Sequence, residues 1–236
     1  MGLRSLPPSW RCVIPQVLTG SRLAAGAGAL FAAFLSHNGL AATLVIMFVV
    51  TDALDGSIAR WLNATTEFGA LFDYFADYLC YVVVPAVVSV GLLRSSVGAL
   101  GLAILAAPVV VGGIRYARNL QSARSESFDQ VGLPGLATMS YGFFVFALVF
   151  LDREGRVDKH MLKPVLMGVV PVMSCLMLTP IRYPKLANHK FILVPVIVGL
   201  NVMPYWATEI LSACTLLLII VYVVFSPLLL PQPWRK

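Results

Sequence analysis

Charged residues are scarce in this sequence, and its cysteines are isolated from one another. Charged side chains make up 12% of the 236 residues, whereas 59% are hydrophobic and the mean hydropathy is +0.86. A soluble domain of this length would carry more charge. The four cysteines show no CxxC spacing, which argues against a disulfide framework and against a cysteine metal cluster. The composition therefore predicts an integral membrane protein.

The sequence also lacks the alternating segments, about 10 residues long, that are typical of a membrane β-barrel. Apolar runs of roughly 20 residues recur instead, and a helix satisfies its own backbone hydrogen bonds in lipid. We therefore expect an all-α, polytopic transmembrane helical bundle of about eight spans. Six or seven spans are alternatives, because prolines interrupt the later segments. The spans are predicted near residues 20–36, 39–62, 68–92, 97–120, 134–151, 162–180, 190–204 and 207–229.

The first apolar run is preceded by arginines and resembles a secretory signal, but polar residues and Arg22 interrupt it. We interpret it as an uncleaved anchor, since further spans follow. Residues 20–230 are expected to form one transmembrane domain, and residues 1–19 an N-terminal interfacial segment. Three prolines favour that interfacial placement: Pro7, Pro8 and Pro15.

The distribution of basic residues predicts the partners and the orientation of the chain. The formal net charge is +6, but the basic residues are scattered rather than clustered, so we expect anionic lipid head groups and no nucleic acid as partners. Basic residues accumulate on the cytoplasmic side of short loops. One side receives twelve of them: Arg4, Arg11, Arg22, Arg60, Arg115, Arg118, Arg124, Arg182, Lys185, Lys190, Arg235 and Lys236. The other receives five, which places both termini on the cytoplasmic face of a bacterial inner or plasma membrane.

Four aspartates lie inside otherwise apolar helices, two on the second predicted span and two on the third: Asp52, Asp55, Asp73 and Asp77. The first two are three positions apart and the last two four apart, so each pair lies on one face of its helix. A carboxylate inside a span costs about 2.5–3.5 kcal/mol. A large cost of this kind indicates that positive charge is bound nearby.

Between Asp52 and Asp77 the one basic residue is Arg60. A single guanidinium cannot neutralise four carboxylates. Two divalent cations can neutralise the four carboxylates. Because the ligands are oxygen atoms, Mg²⁺ or Mn²⁺ is expected rather than zinc. Gly56, Ala59 and Gly69 lack bulk and leave room for a large anionic ligand, such as a phosphate, beside the metals. A metal-ion or proton transporter is an alternative of a different class, because buried carboxylates also line ion pathways.

The complete pattern is Asp52-x2-Asp55-Gly56-x2-Ala59-Arg60-x8-Gly69-x3-Asp73-x3-Asp77. It resembles the signature of the CDP-alcohol phosphatidyltransferase family. The resemblance implies a homodimeric membrane enzyme that transfers a phosphatidyl group from a CDP-linked lipid to a small alcohol and releases CMP. It further implies that Asp52, Asp55 and Asp73 bind metal. Asp77 is expected to belong to the same metal-binding set and to be the candidate general base, and Gly56, Ala59 and Arg60 to lie beside the CDP moiety.

Three further segments are similar to the bacterial phosphatidylserine synthases of this family: Gly113 to Arg118, Gly132 to Pro134 and Ile181 to Pro184. We therefore expect CDP-diacylglycerol and serine as substrates. The segment from Asp77 to Pro85 is instead similar to phosphatidylcholine synthases, so choline is the runner-up, with inositol or glycerol phosphate as further alternatives. Three arginines are candidates for binding the serine carboxylate or a phosphate: Arg115, Arg118 and Arg182. They can equally be explained as basic residues that accumulate on the cytoplasmic side of the membrane.

Overall fold

The protein is described by a computed structural model. The described residues are 7–35, 37–124 and 159–179, together with the single positions 145, 217 and 221. Within these residues the chain forms helices and turns and no strand, which confirms the all-α class. The contacts divide the chain into two compact units, Met1–Cys80 and Tyr81–Lys236.

The described part of the first unit forms three helices: α1 (Pro8–Phe34), α2 (Asn38–Trp61) and α3 (Glu67–Tyr78). α1 packs against both α2 and α3. It begins at Pro8, well before the predicted start near residue 20, because a proline in the first turn needs no hydrogen-bond partner for its nitrogen and has a helical φ. The interfacial placement of residues 1–19 stays a prediction.

The second unit contains α4 (Val84–Leu93), α5 (Ala99–Arg124) and α6 (Lys159–Leu178). α5 packs against both α4 and α6. Gly112 of α5 lies against Val82, since a Cβ built on this glycine would be 2.7 Å from Val82 Cγ1. The Lys163 ammonium of α6 donates a hydrogen bond of 2.8 Å to the Ser96 carbonyl in the turn before α5.

A π-helical turn, Leu79–Val83, joins α3 to α4. Pro85 follows it within the first turn of α4. In an uninterrupted α-helix the Pro85 ring would clash with the carbonyl four residues earlier. The wider π turn just before this proline allows the helical segment to continue.

Among the described residues, three helical segments are long and apolar enough to cross a membrane: Trp10–Phe34, Glu67–Leu93 and Ala99–Arg118. A shorter apolar helix covers Leu162–Leu178. These segments support an integral membrane protein, and α2 and α6 coincide with the second and sixth predicted spans. The spans predicted at 134–151, 190–204 and 207–229 fall outside the described ranges, apart from three single positions, so the count of eight stays a prediction.

Candidate active site

The two acidic helices are joined by a short reversal whose geometry follows from its sequence. α2 ends in a Schellman motif, in which the amides of Asn63 and Ala64 donate to the carbonyls of Arg60 and Ala59 over 3.2 and 2.9 Å. Asn63 has a φ of 51°, and asparagine tolerates this left-handed conformation better than most residues. The next helix then starts at a threonine cap, Thr66.

The Thr66 hydroxyl accepts a 2.9 Å hydrogen bond from the Gly69 amide and so caps the N-terminus of α3. A Cβ on Gly69 would lie 3.0 Å from that hydroxyl oxygen. Gly69 was predicted to leave room for a ligand. The structure gives it a local function, because the threonine cap closes tightly over it. Its role beside a ligand stays a prediction.

The reversal brings the carboxylates of the two helices together. One oxygen each from Asp52, Asp55 and Asp73 lies within 4.8 Å of the others, a grouping that can hold a metal ion. Asp55 is the deepest, with 5% of its side chain exposed, whereas 47% of the Asp73 side chain is exposed. A donor set made of carboxylate oxygens suits a hard divalent cation, so the residues fit the metal predicted from the sequence.

A guanidinium that the sequence analysis did not assign to the site lies at the centre of these carboxylates. Arg22 of α1 is completely buried and forms an ion pair with Asp52 through Nη1. The same Nη1 lies 3.1 Å from Asp77 Oδ1 and 4.0 Å from Asp55 Oδ2. Nη2 donates to Asp73 Oδ1 at 2.7 Å and to the Asp73 carbonyl at 2.9 Å. All four aspartates therefore surround one arginine.

Arg22 corrects the sequence interpretation in one respect. We counted it only among the basic residues that set the orientation and gave it no role in the site, but it is buried inside α1 and paired with carboxylates. The sequence did contain a signal, because Thr19, Arg22 and Gly26 follow an i, i+3, i+7 pattern on one face of an apolar helix. An ionisable residue inside such a helix indicates function by default.

Thr19 supports the deepest carboxylate. Its hydroxyl lies 2.8 Å from Asp55 Oδ2 and 3.1 Å from the Pro15 carbonyl, so its one proton is available to both acceptors. The Gly56 amide donates to the other oxygen, Asp55 Oδ1, over 2.6 Å. Both oxygens of Asp55 therefore accept hydrogen bonds, which fixes the orientation of the carboxylate.

Gly26 allows the chain after α3 to approach α1 closely. A Cβ on Gly26 would lie 2.6 Å from the Sγ of Cys80, a completely buried residue. The Cys80 thiol also lies 3.7 Å from the Arg22 carbonyl and donates a weak hydrogen bond to it. Small residues let helix backbones approach in membranes. This contact holds the end of α3, with Asp77, beside Arg22.

The remaining residues of the motif lie near the end of α2. The Arg60 side chain is exposed, and its Nη2 lies 3.5 Å from Ser57 Oγ. A Cβ on Gly56 would be 3.4 Å from Arg60 Nη1, so Arg60 folds back over this glycine. Ala59 is partly exposed. These three residues present a small, positively charged surface within the two helical turns that follow Asp55.

The candidate acceptor residues lie elsewhere in the chain. Arg115 and Arg118 are on α5 in the second unit. Arg115 is buried, and its guanidinium carbon lies 5.2 Å from the centroid of the Tyr116 ring, whereas Arg118 is exposed. Arg182 falls outside the described residues.

Comparison with known proteins identifies the family. Residues 12–203 match the family model described as CDP-alcohol phosphatidyltransferase. Because this match covers most of the chain, the protein belongs to the CDP-alcohol phosphatidyltransferase family. It is therefore a transferase of an integral-membrane family that acts on CDP-alcohol substrates with the help of divalent metals.

Individual relatives carry more specific names. A CDP-diacylglycerol–serine O-phosphatidyltransferase from Helicobacter pylori strain J99 is 29% identical over 180 residues, which cover 76% of this chain and 75% of the relative. A protein of the same name from Methanocaldococcus jannaschii is 25% identical over 150 residues, or 64% of this chain and 66% of the relative. A provisionally named cardiolipin synthase from Mycobacterium bovis is 36% identical over 75 residues, or 31% and 36% of the two chains.

Proposed function

We propose that this protein is a phosphatidylserine synthase, which transfers the phosphatidyl group of CDP-diacylglycerol to the hydroxyl of serine and releases CMP. The observation that carries the proposal is the similarity over three quarters of the chain to a serine phosphatidyltransferase. The match to the provisionally named cardiolipin synthase is shorter and covers less than a third of the chain. The longer match therefore favours serine as the acceptor.

In this proposal, Asp52, Asp55 and Asp73 hold the divalent cations, two Mg²⁺ or Mn²⁺ ions, and Asp77 lies beside them. Support comes from the clustering of the first three carboxylates and from their graded burial. Divalent cations held by these carboxylates would supply positive charge that screens the diphosphate and stabilises the departing CMP. The side chain of Asp55, which accepts hydrogen bonds at both oxygens, provides a rigid ligand on the buried side of the cluster.

Asp77 is proposed as the general base. The serine hydroxyl oxygen forms a bond to the phosphatidyl phosphorus, the bond from that phosphorus to CMP breaks, and the hydroxyl proton moves to Asp77. About 16% of the Asp77 side chain is exposed, so a substrate hydroxyl has access to it. Asp77 Oδ1 lies 3.1 Å from Arg22 Nη1, so the guanidinium holds the proposed base within the cluster.

The nucleotide is proposed to bind beside Gly56, Ala59, Arg60 and Gly69. The exposed Arg60 guanidinium suits a phosphate or the cytidine monophosphate leaving group. One or more of Arg115, Arg118 and Arg182 is proposed to hold the serine carboxylate or a phosphate. We further propose that the enzyme is a homodimer and that its site and both termini face the cytoplasm, as the distribution of basic residues favours.

The purified full-length protein in detergent, with CDP-diacylglycerol and Mn²⁺ or Mg²⁺, tests this proposal. Serine, choline, inositol and glycerol phosphate are supplied separately, and CMP release is measured. We expect CMP with serine, none when EDTA replaces the metal, and none from an Asp73→Asn variant. CMP release with choline instead of serine would favour the runner-up acceptor, and release with none of the four would reject the proposed reaction.

A further inference from the structure

A completely buried guanidinium within a cluster of carboxylates requires an explanation, because a charge is costly to remove from water unless it is paired. Arg22 is paired on three sides, by Asp52 and Asp77 at Nη1 and by Asp73 at Nη2. Its planar fork matches carboxylates that come from two different helices. The arginine itself belongs to a third helix, α1, which packs against both.

The pairing changes the charge of the site. Four carboxylates and one guanidinium leave a net charge of −3 rather than −4. A divalent cation that binds among Asp52, Asp55 and Asp73 would share these carboxylates with Arg22. Two positive groups at such separations repel each other strongly where water is excluded. The same carboxylates therefore have two competing positive partners.

We propose that Arg22 is the resident counter-ion of the aspartate cluster and competes with divalent cations for its carboxylates. The inference rests on the metal site of the proposed function. Without metal, Arg22 keeps the carboxylates of α2 and α3 together and limits their mutual repulsion. When metal binds, the guanidinium loses part of its pairing, so it lowers the affinity of the site for the ion. Arg22 is thus a positioning residue that keeps metal binding reversible.

Isothermal titration of the purified full-length protein with Mn²⁺ tests this competition. Arg22→Met is expected to bind Mn²⁺ at least about tenfold more tightly than the wild type, because it removes the repelling charge. Arg22→Lys keeps the charge and should remain within about threefold of the wild type. Arg11→Met makes the same charge change on the same helix, roughly 16 Å away along the axis, and should leave the affinity unchanged.

An increase in affinity distinguishes competition from structural damage, because damage to a metal site weakens binding. Thermal unfolding supplies a second readout. In EDTA, Arg22→Met should unfold at a lower temperature than the wild type, and added Mn²⁺ should raise its unfolding temperature by more than it raises that of the wild type. If Arg22→Met does not fold, Arg22→Gln removes the same charge, and the same tighter binding is expected.

Two negative outcomes have different meanings. If the wild type binds Mn²⁺ and the charge-removing variants bind it equally or more weakly, the competition proposed for Arg22 is wrong and the metal site stands. If the wild type neither binds Mn²⁺ nor gains stability from it, the metal site of the proposed function fails, and the inference about Arg22 fails with it.

Discussion

Replacing Gly26 with alanine is expected to push α1 and the chain after α3 apart. The new Cβ would lie 2.6 Å from Cys80 Sγ, whereas ordinary van der Waals contact begins at 3.4 Å. Cys80 is completely buried and its sulfur is one bond from Cβ, so the backbones must separate by about 0.8 Å. Overpacking of this kind costs about 1–3 kcal/mol of unfolding free energy.

The separation of α1 from the chain after α3 also changes the distances within the candidate active site. Gly26 follows Arg22 by one helical turn, and Cys80 follows Asp77 by three residues. The distance of 3.1 Å between Arg22 Nη1 and Asp77 Oδ1 should therefore increase. A misplacement of about 1 Å near a reacting group can lower a rate by roughly 100-fold. We expect Gly26→Ala to lose at least about tenfold in CMP release, in addition to its loss of stability.

Two further variants isolate the clash. Gly20→Ala adds a methyl group to the same helix where no atom lies within 4 Å, and it should change stability by less than about 1 kcal/mol. Cys80→Ala removes the sulfur and leaves its Cβ at 3.8 Å, so the Gly26→Ala/Cys80→Ala double variant should recover most of the loss. Thermal unfolding and CMP release are measured for the wild type, Gly26→Ala, Gly20→Ala and the double variant. A Gly26→Ala variant as stable as the wild type, or a double variant that recovers nothing, would refute this reasoning.

Three other substitutions have definite expected outcomes. Thr19→Val removes the hydroxyl that donates to Asp55 and should weaken Mn²⁺ binding by about tenfold in calorimetric titrations, whereas Thr19→Ser should not. Asn63→Val places a β-branched residue at φ 51° and should cost about 1–2 kcal/mol in thermal unfolding, whereas Asn63→Gly should be neutral. Gly112→Ala would place its Cβ 2.7 Å from Val82 Cγ1, so it should also cost about 1–3 kcal/mol; an unfolding temperature equal to that of the wild type would contradict this packing.

The clustering of the acidic side chains could be predicted from the sequence because local rules determine it. Helical periodicity places Asp52 and Asp55 on one face of α2, and it does the same for the pair on α3. The reversal between the helices is also local, since Asn63 favours the left-handed residue of a Schellman motif and Thr66 favours a helix cap. Each of these features depends on residues no more than five positions apart.

The cation at the centre of the site depends instead on tertiary packing. Arg22 is 30 residues from Asp52 and 51 from Asp73 in the sequence. No helical period connects residues so far apart, and a charge count restricted to the stretch around Arg60 leaves Arg22 out. The approach of α1 to the chain after α3 also depends on Gly26. The sequence does not show the need for a residue without a side chain there, because Cys80, which lies against it, is 54 positions away.

The graded burial of the carboxylates explains how one cluster can hold two competing positive partners. Asp55, with 5% of its side chain exposed, is fixed at both oxygens by Thr19 and by the Gly56 amide. Asp73, with 47% of its side chain exposed, forms an ion pair with Arg22 that can be exchanged for a contact with a metal ion arriving from outside. A rigid ligand on the buried side gives a metal ion a defined position. An accessible carboxylate on the open side lets an arriving ion replace the guanidinium at Asp73 while Asp55 stays fixed by its two hydrogen bonds.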